Sequence, residues 1–86
     1  MNEVIQRGRD AKAWLEDAYA QGRLDQIAEE TIKRWRSSAA GAVQLREHYA
    51  AEVRAIDALR AKAKQEVSDA DFEQRKLDKE RARERR

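Results

Sequence analysis

The 86 residues carry nineteen Lys and Arg against seventeen Asp and Glu, a net charge of +2, and charged side chains make up 42% of the chain. There is no Cys, which excludes disulfides, thiol nucleophiles and Cys-ligated zinc, and a single His cannot by itself build a histidine metal site. No apolar run approaches the roughly 18 residues of a membrane span, and residues 1–9 lack the apolar stretch of a secretory leader, so the cytoplasm is the expected compartment.

Leu, Ile, Val and Phe together number fourteen, about 16% of the chain and below the roughly 20% that warns of disorder. The high net charge that accompanies disorder is absent, and the gap is filled by sixteen Ala with many Glu, Lys, Arg and Gln. These are the strongest helix formers, and no Pro interrupts them, so the composition predicts an all-α chain.

In chain order, Asp10–Gln21 reads as a short helix. Ala11, Trp14, Leu15 and Ala18 fall at i, i+3, i+4 and i+7 on one face. Asp10 is its expected N-cap, Gly22 the residue after its end, and Val4-Ile5 packs back on it or on a partner. Leu24–Arg36 repeats the pattern through Leu24, Ile27, Ala28, Thr31 and Trp35, with Glu29–Lys33 and Glu30–Arg34 as i,i+4 ion pairs of the favourable polarity. Small residues over Ser37–Gly41 predict a break or kink.

Ala42–Val67 carries the strongest periodicity, about 39 Å of helix at 1.5 Å per residue. Its seam runs through Ala42, Leu45, Tyr49, Val53, Ile56, Leu59, Ala63 and Val67, as in a helical hairpin or short coiled coil, although Glu52 and Glu66 would occupy d positions of a strict heptad. Ser68 either starts a last helix or caps a continuation, Ser68-Asp69-Ala70-Asp71 being close to a capping box. Residues 68–78 balance at −2 and residues 79–86 at +3, which suits a helix dipole. The string Val67–Lys76 resembles the second-helix start of the short bacterial oligomerisation modules called SHOCT domains. The likeness covers ten residues of small-polar cap, acids, Phe and bases; the turn and closing Leu-Leu of that family are missing.

Few residues suggest chemistry. His48 and Glu52, one turn apart, have the spacing to hold a metal or move a proton, but with no second His or Cys a surface histidine is the better reading. The carboxylates interleave with bases as structural pairs, and Gly8, Gly22 and Gly41 open no phosphate loop, so no enzyme and no cofactor is expected. Trp14 and Trp35 read first as core, packed on each other or under the long helix, and second as interface anchors. The tail bases Arg75, Lys76, Lys79, Arg81, Arg83, Arg85 and Arg86 could contact phosphates, yet Glu80 and Glu84 interrupt them and no aromatic is interleaved for stacking.

The sequence therefore predicts one small all-α domain: a short helical hairpin (10–36), a long helix (42–67) and a charged C-terminal helix (68–86). So thin a core implies a protein partner, either another copy or a larger complex, met by Trp14, Trp35, Leu45, Tyr49, Val53, Ile56 and Leu59. Adaptors, assembly or scaffolding subunits and small inhibitors fit, and chains of this kind are common among phages and mobile elements. Nucleic-acid binding through the basic tail is the alternative, and no membrane is expected.

Overall fold

A computed structural model describes residues 2–85, which form three helices: α1 (Glu3–Glu16), α2 (Ala18–Ser37) and α3 (Val43–Glu84). The class is all-α. The charged C-terminal stretch is the end of α3 and not a separate element. At 42 residues, α3 is about 63 Å long and spans most of a rod measuring 69 × 24 × 16 Å.

The chain reverses once, over residues 38–42, within the segment where small residues predict a break. Ser37 Oγ donates to the Lys33 carbonyl, and the Ser38 hydroxyl and N–H both donate to the Trp35 carbonyl, so the free end of α2 is satisfied locally. The Ala42 N–H donates to the Ala39 carbonyl and closes the turn. From there α2 and then α1 run in the same sense along α3. The cross-links Ser38–Arg46, Thr31–Glu52, Gln21–Arg60, Arg7–Glu66 and Asn2–Glu73 climb the long helix in order. The hairpin is thus made by α2 and α3, and α1 extends its first arm.

Helix boundaries differ from the sequence expectation for identifiable reasons. Asp10 lies inside α1, which begins seven residues earlier because Asn2 Oδ1 accepts the Val4 and Ile5 N–H groups at 2.9 and 3.3 Å. Gly22 lies inside α2, because the break falls at Asp17. That residue is extended (φ −74°, ψ 103°), donates its N–H to the Trp14 carbonyl and accepts the Ala20 N–H on its carboxylate. Ser68 stands exposed in the middle of α3 and caps nothing, which removes the helix start on which the SHOCT likeness rests. The acids of 68–78 consequently lie mid-helix, away from any N-terminal dipole, while Arg81 and Arg83 do occupy the last turn.

The inner row of α3 is a strict seven-residue repeat, Tyr49, Ile56, Ala63, Ala70 and Leu77, flanked four residues on by Val53, Arg60, Val67 and Gln74. All nine are buried or half-buried. Leu45 and Leu59 leave the expected seam and lie at its exposed shoulder, 46% and 55% accessible; at the second, Arg60 takes the position Leu59 was expected to fill. The most buried residues are small: Gly8, Ala11, Ala63, Ala70 and Thr31, with Ile56 the one bulky exception among the described residues.

Gly8 explains how so little bulk makes an interface. A Cβ placed on it would lie 2.1 Å from the Ala70 Cβ and 2.9 Å from the Glu66 carbonyl oxygen. Only a glycine lets α1 approach α3 this closely, which offsets its poor helix propensity. Gly22, also mid-helix, has nothing within 4 Å of a Cβ and no positive φ, and nothing in the structure explains it.

Two substitutions separate these glycines. Gly8→Ala forces the arms apart and should cost about 1–3 kcal/mol. Gly22→Ala should gain about 0.5–1 kcal/mol. Thermal unfolding followed by circular dichroism should show Tm falling in the first variant and rising in the second.

Candidate interaction surface

The junction between α1 and α2 organises the middle of the rod. Trp14 lies against Leu59 and Ala63, while Gln21, seven residues later, is tied to Arg60. The chain therefore advances almost nothing along α3 across Asp17 and steps sideways instead. Arg60 holds that step: its Nε donates to Gln21 Oε1 at 2.8 Å, and its terminal nitrogen donates to the Gln21 carbonyl at 3.1 Å and to Asp25 Oδ1 at 2.7 Å. Gln21 Nε2 in turn donates to the Trp14 carbonyl at 3.0 Å, tying the end of α1 to the start of α2. A planar guanidinium is suited to such a fork and an ammonium is not.

A second row on α3, Glu52, Leu59, Glu66 and Glu73, repeats every seven residues along one shoulder. Each acid meets the first arm: Glu52 accepts from the Thr31 hydroxyl (3.0 Å), Glu66 pairs with Arg7 (3.9 Å), and Glu73 accepts from Asn2 Nδ2 (3.1 Å). Leu59 is the apolar member of this row. With Trp14, Ala63 and the stem of Lys62 it lines a shallow groove open to solvent.

At the turn end, Trp35 is exposed on one face and covered on the other by the Arg46 guanidinium, 4.7 Å from the ring centroid, a cation–π contact. Ile32, Trp35, Tyr49 and Val53 line a second open groove there. The two tryptophans do not pack on each other; each lies separately against α3.

The sequence-derived interface residues thus divide. Ile56 is buried inside the hairpin, and Tyr49 and Val53 are half-buried against α2. Trp14 is half-buried with one edge in the groove, and Trp35, Leu45 and Leu59 face outward. The basic residues Arg75, Lys76, Lys79, Arg81, Arg83 and Arg85 are all exposed, and Arg86 lies outside the described residues. The first arm starts level with Glu73, and Leu77 and Arg81 border its end, so the last turns of α3 project with no described helix beside them. Sequence reasoning missed Arg60 and Gly8 as organising residues, and it missed Tyr19 and Phe72, the two most exposed large apolar side chains at 79% and 73%.

His48 Nε2 does lie 2.9 Å from Glu52 Oε1, as their spacing allows, and Glu52 uses its other oxygen for Thr31. The pair is on the open surface, and its second role is to brace the 2%-exposed Thr31. Among the described residues no three His, Cys, Asp or Glu side chains converge to hold a metal ion, and no helix is long and apolar enough to cross a membrane. Comparison with known protein families, curated proteins and solved structures finds no match for this chain.

Arg60→Met should cost about 1–2 kcal/mol by leaving the Gln21 groups without their donor. Arg60→Lys should recover little of that loss, because it cannot reproduce the fork. Chemical denaturation of the three proteins measures the difference.

Proposed function

We propose that this protein is a non-enzymatic protein–protein interaction module, a helical rod that works by being bound. The observation that carries this reading is surface area. The chain exposes 7076 Å² where a compact monomer of 10.0 kDa exposes roughly 5,200 Å². The excess, about 1,800 Å², is of the size that one partner contributes to a large, stable interface. It includes side chains that water does not favour: Trp35, Leu45 and Leu59 from the expected interface, together with Ile27, Tyr19 and Phe72. Aromatic side chains are the groups that carry most binding energy when a partner covers them. An adaptor, an assembly subunit or a small inhibitor would each use such a surface.

A second reading, nucleic-acid binding, is favoured by one observation: the last turns of α3 carry their bases past the first arm, with no described helix beside them. Glu80 and Glu84 within it weaken the field that a phosphate backbone would meet.

The readings separate by experiment. A photo-crosslinking residue placed at Leu59 or Trp35 should capture a partner in lysate of the source cells, while one at the polar, outward Arg54 should not. Leu59→Asp should abolish that capture without loss of helicity, and truncation after Asp78 should leave it intact. Under the nucleic-acid reading the truncation instead removes binding, and the affinity of the full chain falls steeply with salt.

A further inference from the structure

The charges are not spread evenly along the rod. Residues 16–30, the junction and first half of α2, hold five acids (Glu16, Asp17, Asp25, Glu29, Glu30) against the single base Arg23, a balance of −4, or −3 once Arg60, already paired with Asp25, is included. Residues 75–85 hold six bases against Asp78, Glu80 and Glu84, a balance of +3. Both segments are exposed helix for most of their length, apart from the residues that pack on α3 or carry the junction. The two most exposed large apolar side chains fall one on each: Tyr19 in the acidic segment and Phe72 at the root of the basic one.

These complementary segments cannot meet within one molecule. The acidic segment stands beside α3 between Glu52 and Ala63, with Gln21 fixed to Arg60. From Ala63 to Arg75, the nearest ends of the two segments, is about 18 Å along an unbroken helix. That is nearly two Debye lengths at 0.1 M salt, so the segments are largely screened from each other in the same chain. A second copy supplies each with its complement at contact distance.

We infer that one partner of this rod is a second copy of the same chain, with the basic end of α3 and Phe72 of one molecule lying on the acidic α1–α2 junction and Tyr19 of the next, apart from the groove at Leu59. The inference rests on the interaction reading above and deepens it. It also accounts for the bare overhang. Most helical stability in proteins comes from packing, and here the unpacked end gains a neighbouring helix and a charge partner together. Charge complementarity of this kind fixes register and speeds encounter, while the two aromatics supply the desolvated contact.

The test is a charge exchange read by light scattering or sedimentation, with helicity checked on each sample. Wild-type mass should rise with concentration at about 0.05 M salt and fall back at 1 M, as screened pairs require. One variant carries Glu29→Lys and Glu30→Lys, the other Lys79→Glu and Arg83→Glu. All four positions are exposed, and the helicity reading on each sample separates lost association from lost helix. Each alone should associate at least about tenfold more weakly. Mixed in equal amounts they should recover wild-type association, because both segments again face opposite charge. Tyr19→Ser with Phe72→Ser should weaken association at every salt concentration. A wild-type chain that stays monomeric at all concentrations overturns the inference, and so does association that neither charge reversal alters. Mass that appears only with co-eluting nucleic acid and vanishes on nuclease treatment overturns it as well. None of these outcomes touches capture by Leu59, which decides the broader reading separately.

Discussion

The close approach of α1 to α3 at Gly8 and Ala70 is the constraint from which the rest of the architecture follows. A Cβ on Gly8 would collide with Ala70, so the helices meet nearly backbone to backbone. Ala11 and Ala63 extend the same contact. In most small domains bulky side chains fill the space between helices. Here the space is closed up instead, and dispersion contacts come from proximity. The consequence is a thin rod with little interior, whose larger apolar side chains are left at its shoulders.

Polar groups complete what the small residues begin. The seven-residue row Glu52, Leu59, Glu66 and Glu73 gives the first arm a polar anchor at three levels and an apolar one at the fourth. Exposed pairs of this kind contribute little individually. Their regular spacing fixes the register of the two arms, which an interface of alanines and a glycine specifies poorly. Arg60 does the same at the junction, where the first arm changes its path and a purely apolar seam would have left the half-buried Gln21 groups without their donor.

The fold class was legible in the sequence because composition and patterning agree: alanine, mixed charges, no proline and a long apolar stripe through Tyr49, Val53 and Ile56. Boundaries were less legible, since the capping chemistry at Asp10 and Ser68 also exists at Asn2 and Asp17, and tertiary contacts chose among them. Asn2 was selected in part because its amide reaches Glu73, a contact no local rule contains. The seam strayed at Leu45 and at Leu59. Leu59 and Arg60 are alternative continuations after Ile56, hydrophobicity favours the leucine, and the junction requires the arginine. The candidate surface was half legible for the same reason. Ile56 is spent inside the hairpin, while Tyr19 and Phe72 reveal their exposure only once the covered face of each helix is known.

The distribution of contacts along the chain also has a consequence for how the protein is made. Thr31 finds Glu52 across 21 residues, but Asn2 finds Glu73 across 71, and Gly8 waits for Ala70. At about 5–20 residues per second, translation of the 62 residues from the one after that glycine to the alanine takes roughly 3–12 s. Helix formation itself needs on the order of a microsecond. On the ribosome, the α1 segment therefore stands with Trp14 and its alanines uncovered for seconds before the segment that covers it has been synthesised. That interval gives a chaperone or a neighbouring nascent chain access to a surface the finished rod hides.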